Sequence, residues 1–349
     1  MKKIAYIELD THAEIAGNFI ELMQDSKAFK VDFYFSKRIL SQLDLDVNEQ
    51  INKSSANEIL NQLASNNYQL IIIGTVHRNF NIYLKIEEKY NSAIICHNLN
   101  FCTISRWNLF QNIFKKDFQY RLKLLLKEGL FSAPKILEKA AQLLVLDDNL
   151  VQKRFKFLPL FYTKFSQEKI SNFKHTIIIP GSVSQERRDY LKIIQTISNF
   201  KSQNNFQFIF LGKANGKELG WLKNLEEKLS KNISLKYFTE KVSKEEFDEN
   251  MLGADFLWCP VQEKTEFFSL QETYGKTKMS GNIGDAIKYE KTALFPKHYK
   301  TSKPFIIEEE TDFEKQILSL PEESQFDFQK NFNKEKVQKD LENILKKLL

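Results

Sequence analysis

The chain has 349 residues, enough for about two domains and for a core that needs no disulfide staples. Apolar residues make up 42% and charged residues 28%, which excludes wholesale disorder, and a net charge of +6 is too mild to make nucleic acid the expected partner. No run approaches the roughly 18 apolar residues of a membrane-crossing helix, and the three cysteines (Cys96, Cys102, Cys259) form no CxxC pair, so a reducing cytoplasm and no metal framework are expected.

The opening, MKKIAYIELDTH, reads as a first β-strand rather than a secretory signal, because its apolar run is soon broken by Glu8 and Asp10. Strands then follow at Ile4–Leu9, Val31–Phe35, Leu70–Gly74, Ala93–His97 and Leu143–Leu146, separated by helical patterns near 12–26, 55–65, 79–90 and 105–141. Continuous apolar runs such as LIIIG predict strands buried on both faces, and strand–helix alternation predicts a parallel sheet with right-handed crossovers. A second series runs through strand Thr176–Ile179, helix 185–199, strand Phe206–Leu211, helix 217–230, strand Ile233–Phe238, helix 243–252, strand Asp255–Pro260, helix 280–290 and strand Thr292–Phe295. The stretch 157–174 has no clean period and is the expected interdomain crossing. The expectation is therefore an α/β protein of two Rossmann-like domains facing across a cleft, 1–160 and 161–330. Residues 331–349 form a terminal helix whose stripe of Val337, Leu341, Ile344, Leu345 and Leu348 packs on one of them.

In open α/β sheets ligands sit at the carboxyl ends of the strands, so residues there carry the candidate chemistry. In 274–296, Gly275, Ser280, Gly281 and Gly284 precede or open a helix and Lys276 and Lys278 flank the turn. Small residues and cations before a helix N-terminus suit a phosphate. Asp285, a turn inside, suits ribose hydroxyls; the alternative is a plain loop–helix connection. The segment contains neither GxxxxGK[ST] nor GxGxxG. In 176–194 a buried strand ends at Pro180-Gly181 and Arg187-Arg188 opens a helix, where one guanidinium can grip a diphosphate. Alternatively both are solvated or paired with Glu186 and Asp189. His97 directly follows an apolar strand and His12 lies in the loop after the first strand. Each suits acid–base work or a sugar contact, and each has a structural alternative, a packed core imidazole or a helix cap. His77 beside Arg78 is a weaker cleft candidate, while His175 and His298 fall outside any such constellation. Five scattered histidines without HxxxH or HExxH predict no metal site. In 105–128, Trp107, Phe110, Phe114, Phe118, Leu122 and Leu125 recur three and four apart with Lys116, Lys123 and Lys127 behind them. The expected use is a core-facing helix; the alternative is a helix lying on an anionic membrane.

PGSVSQERRDY, FIFLGKANG, GADFLWCPV and SGNIGDAIKYEKTALFP, together with IICHNLNF in the first half, resemble the bacterial group 1 (family 4-like) glycosyltransferases of the GT-B fold across nearly the whole chain. The resemblance implies transfer of a sugar from a nucleotide-diphosphate donor to an acceptor hydroxyl. The C-terminal domain would hold the donor and the N-terminal domain most of the glycan or lipid-linked acceptor. It implies that Asp285 stands where related enzymes place a ribose-binding Glu. Ser280, Gly281 and Asn282 would present amides to the diphosphate, and Arg187 or Arg188 with Lys278 would form a basic clamp in place of a metal. Retaining members carry Glu, seven residues, then Glu; here the first place is Thr277, and Glu266 and Glu272 lie at other distances. An inverting reaction would use His12 as base, a retaining one would lean on His97. Surface polysaccharide or glycoconjugate synthesis at the inner face of the cytoplasmic membrane is the implied setting. A sugar-nucleotide epimerase and a noncatalytic glycan- or partner-binding protein on the same scaffold are the alternatives.

Overall fold

The computed structural model describes residues 1–165, 175–201, 203–323 and 326–349. Its first sheet has seven parallel strands: β1 (Lys2–Glu8), β2 (Phe29–Phe35), β3 (Ile51–Lys53), β4 (Leu70–Ile73), β5 (Ser92–Ile95), β6 (Gln142–Val145) and β7 (Phe155–Phe157), in the order β3-β2-β1-β4-β5-β6-β7. The central strands are apolar on both faces because helices cover both; Leu70–Ile73 is wholly buried. The strand order reverses between β1 and β4, which opens a crevice at their carboxyl ends.

The second sheet begins with β8 (His175–Pro180), β9 (Phe206–Lys213), β10 (Ile233–Phe238) and β11 (Phe256–Trp258). A separate antiparallel hairpin follows, β12 (Lys264–Phe267) and β13 (Leu270–Thr273), before β14 (Thr292–Phe295) and β15 (Ile306–Glu308) complete six parallel strands in the order β10-β9-β8-β11-β14-β15. The molecule thus has two doubly wound parallel sheets, the expected α/β architecture of two Rossmann-like halves.

Several elements differ from expectation. The run 105–141 is not one helix. It breaks into Arg106–Ile113, Phe118–Glu128, a short 3₁₀ turn and Ala133–Lys139, because Asp117 (φ 48°) and Gly129 (φ 72°) adopt left-handed backbone that no helix continues through. As a result Trp107, Phe110, Phe114 and Phe118 are exposed, while Leu109, Ile113 and Leu124 face the core, so the core-facing reading of the aromatic face is corrected. The expected helix 185–199 starts at Tyr190, where Asp189 accepts the Lys192 amide at 3.2 Å. Arg187 and Arg188 therefore lie in the turn before it. The helix near 280–290 is shorter, Asn282–Lys288.

Two connections run between the halves. Phe161 in the first lies so close to Gly284 that a methyl group there would sit 2.5 Å from the ring, which is why that helix position is glycine. The Thr163 amide donates to the Phe332 carbonyl at 2.9 Å, so the outgoing chain and the returning C-terminal chain are bonded side by side. The later part of the expected crossing, 166–174, lies outside the described residues. The terminal helix Lys334–Leu348 packs on the N-terminal half, burying Val337, Leu341 and Leu345 against the core that includes Phe19 and Met23.

Candidate functional site

A cavity of about 450 Å³ lies between the two halves. Its N-terminal wall includes His12, Glu14 and His97, its C-terminal wall includes Lys241, Lys278, Met279 and Gly281, and Phe161 of the connection lies between them.

Three imidazoles meet beside it because His12, His77 and His97 follow the carboxyl ends of β1, β4 and β5, three adjacent strands. The His12 and His97 rings stack, with centroids 3.6 Å apart and planes at 11°, and His77 stands edge-on 6.3 Å from each. His97 Nε2 lies 2.9 Å from the Gly74 carbonyl. A carbonyl only accepts, so Nε2 carries the proton and Nδ1 is the open acceptor of the neutral ring. Burial and then the Lys278 ammonium bring His12 down to about 4, and burial with the His12 and Lys278 charges brings His77 to about 3. His97 is lowered well below the usual imidazole value, first by burial. All three are neutral at pH 7. No group of His, Cys, Asp or Glu among the described residues is arranged to hold a metal ion.

The His12 loop is organised by Glu8, the buried last residue of β1. Its carboxylate accepts the amides of Asp10 (3.0 Å) and Thr11 (3.1 Å) and the hydroxyl of Thr75 (2.7 Å). Burial raises Glu8 to about 7. His12 itself holds a left-handed backbone (φ 55°) at the start of helix Ala13–Met23 and makes no side-chain cap. Nothing in the sequence singles out Glu8, since a carboxylate ending a buried strand has no spacing signature.

On the facing wall, Lys278 Nζ donates to Asn98 Oδ1 across the cleft. Burial lowers the Lys278 ammonium and the Glu272 carboxylate partly restores it. Arg188 folds over Gly181, whose φ of +100° and 2.5 Å clearance to Nη2 leave no room for a side chain. Its Nη2 donates to Asn282 Oδ1 at 3.3 Å, and Asn282 Nδ2 donates to Asp285 Oδ2 at 2.9 Å. Burial, then the Glu14 carboxylate, raises Asp285 to about 7. Ser280 Oγ lies 3.4 Å from both the Asn282 amide nitrogen and Oδ1. The structure therefore brings Gly181, Arg188, Ser280, Asn282 and Asp285 into one network, next to Gly281 and Lys278. Arg187 is exposed in the turn, and Lys276 is exposed and away from the cavity lining.

Glu266 and Glu272 face neither the cavity nor each other. The hairpin carries them to the other domain, where Glu266 pairs with Lys116 at 3.0 Å. Glu272 accepts the amides of Phe101 (3.2 Å) and Asn100 (3.4 Å). Phe267 packs on His77 (4.4 Å) and Phe101 (5.0 Å), and the Arg121 guanidinium lies 4.5 Å over Phe268. The hairpin is thus a strap across one side of the site.

No family model matches the sequence, and no curated protein matches it significantly. Solved structures do match in fold. A glycosyltransferase from Rickettsia africae aligns over 99% of this chain and 98% of its own, at 10% identity and a TM-score of 0.60. A lipopolysaccharide outer core galactosyltransferase in its apo form aligns over 99% and 100%, at 10% identity and 0.57. A UDP-GlcNAc 2-epimerase from Neisseria meningitidis, bound to UDP-GlcNAc, aligns over 99% and 100%, at 11% identity and 0.54. End-to-end coverage with two facing parallel sheets means that this chain has the GT-B fold of the glycosyltransferases.

Proposed function

We propose that the protein transfers a sugar from a nucleotide-diphosphate sugar to an acceptor hydroxyl, in surface glycan synthesis. The observation that carries this reading is the cavity between the halves, with neutral stacked imidazoles on the N-terminal wall and Lys278 on the C-terminal wall. In this reading Arg188 and Lys278 hold the diphosphate with the amides at Ser280, Gly281 and Asn282, and their fixed charge stabilises the departing nucleotide without a metal. Asp285 takes the ribose hydroxyls. His12 is the base for the acceptor hydroxyl, and His97 offers Nδ1 to the transferred sugar. A base brought down to about 4, first by burial and then by Lys278, is weak. An anionic diphosphate beside Lys278 offsets that second contribution and moves the imidazole part of the way back up, so donor binding strengthens the base.

A ligand of the native state must raise its melting temperature, by roughly 2.7 kcal/mol of stability at 100 times Kd. Among UDP, GDP, ADP and dTDP and their sugars, at least one is expected to give a clear rise. Lys278→Ala and Arg188→Ala should each weaken that ligand about tenfold, the loss of one charge-assisted hydrogen bond. No shift with any nucleotide at saturation would remove the reading's support.

The structural likeness to a sugar-nucleotide epimerase favours a second reading, in which the donor is isomerised without an acceptor. Product analysis with and without acceptor separates the two. Thr277 in place of the first Glu motivates the noncatalytic alternative. Tight nucleotide-sugar binding with neither transfer nor donor hydrolysis would favour it.

A further inference from the structure

Exposed aromatic side chains run continuously from helix Arg106–Ile113 through Phe114 to helix Phe118–Glu128, with only Phe110 also touching an inner ring, Phe131 at 6.4 Å. Trp107 (65% exposed), Phe110, Phe114 (60% exposed) and Phe118 form a ladder with ring centroids 5.9, 5.3 and 5.7 Å apart in turn. Leu122 and the strongly exposed Leu126 extend it at helical spacing from Phe118. Water-facing rings in this number are costly unless something covers them.

The charge around the ladder selects the occupant. Arg106, Lys115, Lys116, Lys123 and Lys127 are exposed here against two exposed carboxylates, Asp117 and Glu266, the latter already paired with Lys116; Glu128 is turned inward onto Arg78 at 2.8 Å. Lysine is depleted at the centre of protein–protein interfaces, whereas rings at headgroup depth surrounded by lysines suit an anionic lipid surface. No helix among the described residues is long and apolar enough to cross a membrane, so contact through this face would be peripheral.

The inward side of the same two helices holds the strap. Asn112 Nδ2 donates to the Phe268 carbonyl at 3.0 Å, and Arg121 donates to Ser269 Oγ at 2.6 Å. We infer that the Trp107–Phe118 ladder is a docking face for an anionic bilayer, with the rings seated among headgroups and the lysines on lipid phosphates. Membrane docking of this face holds whichever reaction the cleft performs.

The test uses the full-length protein with phosphatidylcholine vesicles, with and without phosphatidylglycerol. The protein should sediment only with the anionic vesicles, release at high salt, and show a blue shift in tryptophan emission that Trp107→Phe abolishes, since Trp258 is already buried and the half-buried Trp221 lies in helix Gly216–Glu226 of the other half. Phe114→Ser and the double variant Lys115→Glu/Lys123→Glu should each bind about tenfold more weakly or worse, with melting temperatures unchanged because the positions are exposed. Three results would overturn the inference: no sedimentation with anionic vesicles at low salt, binding that Phe114→Ser leaves intact, or a concentration-dependent dimer that Phe114→Ser dissolves. The last would assign the face to a second copy of the chain.

Discussion

His12 and Glu8 sit four residues apart and titrate in opposite senses. The His12 imidazole is held near 4 in the fold against about 6.5 unfolded, so between those values the unfolded chain binds a proton that the native one refuses. Stability from this residue is full above 6.5 and is lost as pH falls towards 4, by roughly 3 kcal/mol at 1.36 kcal/mol per pH unit. Glu8 is raised from 4.5 to about 7, so its contribution is full below 4.5 and is lost as pH rises through 7. Melting temperatures from pH 4 to 7 should show His12→Asn, whose side chain tolerates the left-handed backbone, flattening the acid-side loss, and Glu8→Gln flattening the other. Curves parallel to wild type would mean that neither group is perturbed. His97 and Lys278 were legible in the sequence because strand ends and pre-helix turns are where α/β ligands sit. The three-way meeting with His77 was not, since it depends on which strands are neighbours.

The β12–β13 hairpin shows why some elements escape the sequence. Its two-residue turn uses Phe268 (φ 52°) and Ser269 (φ 57°), not the Asn-Gly or Gly pair that usually marks a left-handed turn. Tertiary contacts, namely Arg121 over Phe268 and the Ser269 hydroxyl bonded to Arg121, hold the strained backbone in place. The break within 105–128 escapes the sequence for the converse reason: apolar spacing of three and four continues across Asp117 although the helical backbone does not. Phe268→Ala removes a half-buried ring and its cation contact, and should cost about 1–3 kcal/mol by denaturant unfolding. No measurable loss would mean that the strap does not bind the N-terminal domain in solution.

At the scale of the whole molecule, two α/β halves were legible because each repeats strand and helix on an apolar pattern. Where the tail docks was not, because an amphipathic stripe specifies that it is covered and not by which surface. It returns to the first half, where Gln338 donates to the Leu22 carbonyl at 2.8 Å and Ser26 donates to Glu342 at 2.6 Å. Leu341 is fully buried there, so Leu341→Ala should cost about 2–5 kcal/mol. Because the tail ties the C-terminal half to the N-terminal one, calorimetry should show that loss as a lowering of the whole unfolding transition. A shift confined to one of two resolved transitions would mean that the halves unfold independently.

The Thr163–Phe332 bond has a mechanical consequence. A single linker lets two bodies swivel in any direction. Two linkers pinned side by side define an axis, and the halves can then rotate about it much as a door turns on a hinge. A swing about that axis would part Lys278 from the imidazoles and return it to the same register, once the strap and the Lys303 pair with Asp147 let go. Such an arrangement lets cargo enter and leave while the reacting groups meet again in unchanged alignment at each closure.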